Sequence, residues 1–242
     1  MTRWVNTTIA LGILLCHPCV LGQDLPFVTP ATNLELPLNS PLMDALLTVE
    51  GQENLKASLS KHLLLVQAWP NPGFHEDPAL VPTRIGMAVI VQVDKEQQVW
   101  TSSFLVEDVR TINLTIPGTQ TVIPATIDET KNGLSKLKIG AEVSGLDHTG
   151  ATISTKETKD ARVVFVTPAG PDNMVIGQSA IAGNDLPPNE MHVIIPGMLP
   201  MGCPVFDNDG YLIAVALHPG ASKTDRVLAA PAKLLLDPEQ KP

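Results

Sequence analysis

Basic residues are scarce in this chain of 242 residues. The 16 Lys and Arg are outnumbered by 25 Asp and Glu, which gives a formal net charge of -9. This balance excludes a generic basic surface, so neither nucleic acid nor an anionic membrane is expected as a partner. Hydrophobic residues make up 44% of the chain and charged residues only 17%. The sequence is therefore too apolar for a disordered protein and long enough for a real core.

The apolar run at the N-terminus is too short for a confident membrane span. It follows Arg3, reads ALGILLCHPCVLG and ends with the small residues Val20 and Gly22. A basic start, a short apolar core and small residues before a cleavage site are the features of a signal peptide. We therefore expect cleavage between Gly22 and Gln23, which removes residues 1–22. The mature protein would then not be stably inserted in a membrane. A retained membrane anchor is the alternative.

Cysteine is scarce as well. Cys16 and Cys19 belong to the predicted signal peptide, so the mature chain would hold only Cys203. A single thiol cannot form an internal disulfide. The stability of an exported, periplasmic or secreted protein would then have to come from its core.

The chain has too many turn-forming residues for a helical bundle, with 22 Pro and 17 Gly. Residues 23–60 predict an extended leader and then one or two short amphipathic helices, which begin at Ser40 and Pro41 and run to Ser60. Residues 61–242 predict strands with no long helix between them, which excludes a parallel βαβ design. The expected strands are 62–69, 84–94, 97–106, 110–116, 121–127, 134–139, 142–146, 162–167, 174–182, 191–195, 204–206, 211–217 and 226–230, followed by a short closing helix.

The most informative stretch covers residues 195–220 and reads IPGMLPMGCPVFDNDGYLIAVALHPG. Asp209-Gly210 between two apolar runs predicts a hairpin. The stretch resembles the segment around the nucleophile of trypsin-like serine proteases, especially the HtrA/Deg type. In that family a G-N-S-G-G-P loop is followed by an apolar strand, a D-G turn and a second apolar strand.

Four other stretches continue the resemblance in the family's order over about residues 62–238: IVQVDKEQQVWTSSFLVED, DETKNGLSKLKIG, VVFVTPAGPDNMVIGQSAIAG and RVLAAPAKLL. The resemblance implies an all-β fold of two six-stranded antiparallel β-barrels, at about 61–140 and 141–242. A short helical N-terminal extension would precede them.

The resemblance also implies where the catalytic triad would lie. Phe104 takes the place of the general-base His, Gly133 that of the orienting Asp, and Met201 that of the nucleophilic Ser; a register slip of one would put Asn132 in place of Gly133. A serine protease needs a hydroxyl nucleophile, an imidazole base and a carboxylate. Phe, Gly and Met supply no transferable proton and no charge, so the triad is expected to be degenerate.

The loop before Cys203 departs from the family as well. Leu199 matches a glycine whose amide helps to bind the oxyanion, and Pro200 has no N–H at all. Cys203 itself invites comparison with viral cysteine proteases of this fold, whose nucleophile lies in a G-x-C-G loop. However, Pro204 follows it, and its spacing to the D-G turn matches the second glycine after the serine. A small, partly buried thiol at a packed turn is the favoured interpretation.

Metal sites have little support. No pair of the five His residues of the mature chain has helical metal spacing, and the segment 207–210 lacks the later ligands of a calcium loop. The sequence therefore predicts neither a metal nor a cofactor.

Three functions follow from these observations. The first is an exported pseudoprotease domain that binds an unknown peptide or protein partner, in the groove between its barrels or by strand addition at exposed edges. The second is an active serine- or cysteine-type endopeptidase with an atypical site around Cys203, which would be favoured if His192 or His218 faced that thiol. The third is a secreted structural barrel unrelated to proteases.

The signal peptide is directly testable. Because cleavage removes residues 1–22, N-terminal sequencing of protein from its native host should begin at Gln23, in an extracytoplasmic fraction. An intact Met1 in the soluble cytoplasmic fraction would contradict this prediction.

Overall fold

The computed structural model describes residues 48–73, 83–94, 96–140, 150–155, 162–170, 173–182, 191–194, 199–207, 209–218 and 226–236. All of them belong to one compact unit that begins at Pro37. The predicted signal peptide, the leader, the helix start at Ser40 and the strand 142–146 lie outside the described residues. Within the described ranges, no helix is both long and apolar enough to cross a membrane.

Helix α1 covers Val49–Ser60 and ends where the sequence predicts. It begins with a conventional cap, because the Oγ1 atom of Thr48 accepts a hydrogen bond of 3.0 Å from the Gly51 N–H. Leu59 is buried and Leu55 is partly buried against the same core cluster. The helix is thus held to the body of the protein through one apolar side.

The first barrel consists of β1 (Leu63–Pro70), β2 (Arg84–Val93), β3 (Glu96–Ser102), β4 (Val109–Thr115), β5 (Val122–Lys131) and β6 (Leu134–Ile139), with the one-turn helix α2 (Ser103–Val106) after β3. Its antiparallel strands follow the order β1-β2-β3-β6-β5-β4, and the pairing of β1 with β4 closes it. The predicted strand 97–106 is wrong in its second half. It ends at Ser102, because the chain turns there into α2, where the Glu107 N–H donates to the Ser103 carbonyl.

The second barrel consists of β7 (Arg162–Gly170), β8 (Asn173–Ala182), β9 (Met191–Ile194), β10 (Pro204–Phe206), β11 (Leu212–His218) and β12 (Arg226–Pro231). They close in the order β10-β11-β12-β9-β8-β7, and a 3-10 helix at Ala232–Leu235 follows. Helix α1 contacts β7 and β8. The all-β prediction with two six-stranded antiparallel barrels is confirmed.

Closure of the barrels still leaves parts of some strands unpaired on one side. Every described strand pairs with two neighbours, but β8 pairs with β9 only at Ala180–Ala182. Strand addition at exposed edges therefore stays a prediction. The closing pairs β1–β4 and β7–β10 join strands that are distant in sequence. Local strand patterns do not reveal such pairing.

Both faces of the first strands are buried, because successive side chains of a strand point to opposite sides. One set fills the first barrel and includes Leu64, Val66, Ala88 and Ile90. The other set joins a core cluster that extends into the second barrel and includes Leu63, Met87, Val89 and Trp100. The two barrels therefore share an apolar interface.

Backbone hydrogen bonds connect the two barrels where the loop at Met201 and Gly202 meets β2. The Met87 N–H on β2 donates to the Met201 carbonyl at 2.8 Å, and the Gly202 N–H donates to the Ala216 carbonyl on β11 at 2.7 Å. Gly202 has φ +76°, and a Cβ atom there would overlap the carbonyl oxygen of Met87. Only glycine fits this close approach of the two barrels.

Replacing Gly202 with Ala should therefore destabilise the protein strongly. Gly118→Ala is the matched control, because Gly118 has the same φ of +76° but no atom within 4 Å of an added Cβ. We expect the free energy of unfolding to fall by about 1 kcal/mol in the control and by about 3 kcal/mol or more in Gly202→Ala. Urea unfolding followed by tryptophan fluorescence measures both values. Equal losses would contradict the close contact.

Candidate functional site

The positions that the resemblance assigns to catalysis lie at the junction of the two barrels. Helix α2 carries Phe104, and its first amide, that of Ser103, donates to the Gly133 carbonyl at 2.8 Å. On β2, a Cβ atom added at Gly86 would lie 2.5 Å from the Leu105 side chain and 2.6 Å from the Met201 carbonyl oxygen. The structure thus brings α2, the β5–β6 turn and the loop at Met201 around one point.

Phe104 packs across the junction. Its ring is 40% exposed and meets the ring of His218, at the end of β11, edge to face, with 5.7 Å between centroids and an interplanar angle of 88°. Such T-shaped pairs are a preferred aromatic geometry. At the general-base position the structure therefore has an apolar ring held by an imidazole from the other barrel.

Gly133 sits in a tight turn that leaves little room for a carboxylate. Asn132 and Gly133 join β5 to β6 with φ of 52° and 77°, as expected for an Asn-Gly hairpin turn. A Cβ atom at Gly133 would lie 3.2 Å from a terminal methyl group of Leu217. Asn132, the alternative position, is exposed to solvent. At the position where the family has its orienting Asp, this chain thus has a glycine that lies next to a leucine.

Met201 lies at the centre of a β-turn. The Cys203 N–H donates to the Pro200 carbonyl at 3.1 Å, and Gly202 supplies the positive φ that the third residue of a type II turn requires. The Met201 side chain is partly buried against the core of the first barrel. At the nucleophile position the structure thus has a thioether that contributes to packing.

Leu199 and Pro200 complete this loop. Leu199 is buried, with 2% of its surface exposed, in the core cluster that both barrels share. Among the described residues, those with positive φ outside glycine are Asp94, Asp108 and Asn132, so Leu199 has an ordinary backbone conformation. Pro200 contributes no N–H. The loop therefore has a buried leucine and a proline where the family has the glycine-rich segment that presents its oxyanion donors.

Cys203 has the opposite environment from an activated thiol. Its side chain is fully buried, and its Sγ atom lies 3.6 Å from two backbone carbonyl oxygens, those of Val166 and Pro204. Burial raises the pKa of the Cys203 thiol far above its ordinary value, which disfavours the thiolate that attacks substrates. The ring of His218 contacts Phe104, and the side chain of His192 lies outside the described residues.

Two hydroxyl groups at the end of β3 belong to the junction, although the sequence analysis did not single them out. The Ser102 Oγ donates to the Leu217 carbonyl at 2.6 Å, from one barrel to the other. The Thr101 Oγ1 donates to the Met87 carbonyl, also at 2.6 Å. Both residues are fully buried. In the sequence, the only sign of this role is that two small polar residues end an otherwise apolar strand.

The Asp-Gly hairpin forms as predicted. One carboxylate oxygen of Asp207 accepts hydrogen bonds of 2.9 Å from the N–H groups of Asp209 and Tyr211. This oxygen thus organises the turn between β10 and β11. Groups of three or more potential metal ligands do not occur among the residues that the structure describes.

No family model and no curated protein sequence matches this chain. Solved structures do match it. The Rv3671c protease of M. tuberculosis is similar in its inactive form, with a TM-score of 0.54 and 12% identity over 74% of this chain and 87% of that one. Its active form gives 0.56 and 14%, over 74% and 79%. A serine endoprotease from Yersinia pestis gives 0.56 and 15%, over 76% of this chain and 63% of that one. The predicted trypsin-like two-barrel fold is thus confirmed, and the resemblance to serine proteases holds at the level of the fold.

Proposed function

We propose that this chain is an exported, non-catalytic trypsin-like domain that binds a peptide or protein partner at the junction of its barrels. The observation that carries the proposal is that apolar packing contacts occupy the three positions of the triad. Phe104 pairs with His218, Gly133 lies against Leu217, and Met201 packs on the first barrel's core.

Acyl transfer at this junction would need a nucleophile and a base within hydrogen-bond reach of each other. The side chains of Phe104 and Met201 can neither donate nor accept a proton. Gly133 has no side chain and so supplies no carboxylate to orient a base. The nearby hydroxyl of Ser102 is buried and already donates to a carbonyl. The burial of Cys203 argues against the cysteine-type alternative.

Binding is the activity that such a junction can retain. Phe104 and Ile85 are among the exposed large apolar residues, with 40% and 65% of their surface accessible. The Ile85 side chain leaves β2 on the side opposite to that on which Gly86 meets α2 and the Met201 loop. Phe104 is therefore the exposed apolar side chain on which we base the proposed contact. This binding would use side-chain contacts, strand addition at the partly paired strands, or both.

Chemical probes test the non-catalytic proposal. The full chain should not react with a fluorophosphonate probe, and unfolded casein should survive overnight incubation with it, because Phe104, Gly133 and Met201 supply no nucleophile and no base. In the same native sample, iodoacetamide should modify Cys203 far more slowly than free cysteine, and unfolding in urea should restore an ordinary rate.

An active trypsin-like protease serves as the positive control for the fluorophosphonate probe and for casein. Specific labelling at any serine would overturn the proposal. Alkylation of native Cys203 faster than that of free cysteine would instead support the cysteine-type enzyme.

A further inference from the structure

One cation at the junction has a fixed position and no acidic partner among the described residues. The Nη1 atom of Arg84 donates to the carbonyl oxygens of Phe104 at 3.1 Å and Glu107 at 2.8 Å. Both acceptors belong to the last turn of α2 or to the residue that ends it. The guanidinium group is thus anchored to the backbone of α2, at Phe104 and Glu107.

These two bonds leave most of the guanidinium available. An arginine carries five N–H donors in a rigid fork. The ion pairs among the described residues join Lys56 to Glu53, Lys131 to Glu129 and Lys136 to Asp128, and none involves Arg84. Backbone carbonyls fix the position of the Arg84 charge without neutralising it.

An exposed aromatic ring lies next to this charge. Phe104 is 40% exposed, and its own carbonyl oxygen is only 3.1 Å from the Arg84 Nη1 atom. The His218 ring holds the Phe104 ring from the other barrel. An exposed aromatic side chain and a cation without an ion-pair partner among the described residues are therefore held by the same short helix.

From this arrangement we propose that the partner presents a carboxylate, from Asp or Glu, close to an apolar side chain. The carboxylate would accept hydrogen bonds from Arg84, and the apolar side chain would pack on Phe104. This inference rests on the proposed binding function and specifies its partner. Guanidinium–carboxylate contacts combine charge with a matched planar geometry. Because the chain carries a net charge of -9, its overall field repels an acidic peptide, and binding would depend on this local cation.

A peptide library can identify the sequence that such a partner presents. We would screen fluorescein-labelled nonapeptides, blocked at both ends, against the full chain by fluorescence anisotropy. The best ligands should carry Asp or Glu within about two residues of Leu, Ile or Phe. Arg84 is bonded to the Phe104 carbonyl, so the two peptide side chains that contact them must be close in sequence. The strongest ligand would then be compared with a version in which its acidic residue is replaced by the matching amide.

Variants separate binding from folding. Arg84→Gln also removes the bonds to the Phe104 and Glu107 carbonyls, and this loss should affect both peptides alike. The acidic peptide should therefore lose on the order of 10-fold more affinity than its amide version, because only the acidic peptide also loses a charge-assisted contact. Lys138→Gln removes the same charge from an exposed position on β6 and should change neither affinity. Phe104→Ala should weaken both peptides, whereas Ile127→Ala, at an apolar side chain of similar exposure (43%), should weaken neither.

The outcomes distinguish the inference from the function on which it rests. Ligands without a preference for acidic residues, or an equal effect of Arg84→Gln on both peptides, would overturn the role of Arg84 and leave peptide binding intact. Failure of the library to yield any ligand would count against the proposed function itself.

Discussion

The close approach of the loop 200–203 to β2 is the contact on which the rest of the structure depends. Met87 and Met201 share a backbone hydrogen bond of 2.8 Å, and Gly202 fits against the Met87 carbonyl only because it has no side chain. The buried Ser102 hydroxyl adds a second polar connection, to Leu217 on the other barrel. A buried hydroxyl that loses its acceptor costs about 1–3 kcal/mol, so these bonds specify how the barrels meet.

The same contacts determine what the junction can do. In a serine protease the space between two barrels holds a polar triad around a reacting group. Here a leucine methyl group faces Gly133, a methionine fills the turn and a phenylalanine ring rests on a histidine. These three positions therefore contribute packing contacts. The exposed part of that packing, together with the Arg84 guanidinium, forms the surface on which the proposed partner would dock.

Most strands could be predicted from the sequence, because alternating apolar residues and turn signals such as Asp209-Gly210 act locally. Their arrangement in two barrels was predicted from the resemblance to trypsin-like proteases. The motifs around Phe104, Gly133 and Met201 are local as well, and the segments that carry them meet at the junction. Sequence could not predict the bond between Ser102 and Leu217, which joins residues 115 positions apart. Nor could it predict that the strand would end at Ser102. That end depends on the Gly133 carbonyl and the Arg84 guanidinium, which bind the two ends of α2 only in the folded barrel.

The central claim is that catalytic capacity is absent from the whole junction, beyond the three side chains. The most direct measurement is peptidase activity of the triple variant Phe104→His, Gly133→Asp and Met201→Ser, checked for native folding by circular dichroism. We predict no detectable cleavage, because a side chain at Gly133, where φ is +77°, would be strained and would lie against Leu217. In addition, the buried Leu199 and the fixed φ of Pro200 replace the glycine-rich loop that presents the oxyanion donors, and losing one donor can cost on the order of 100- to 1,000-fold in rate. A variant that also rebuilds residues 199–203 as a glycine-rich serine loop could regain measurable turnover. Serine-dependent cleavage by the triple variant alone would contradict the account.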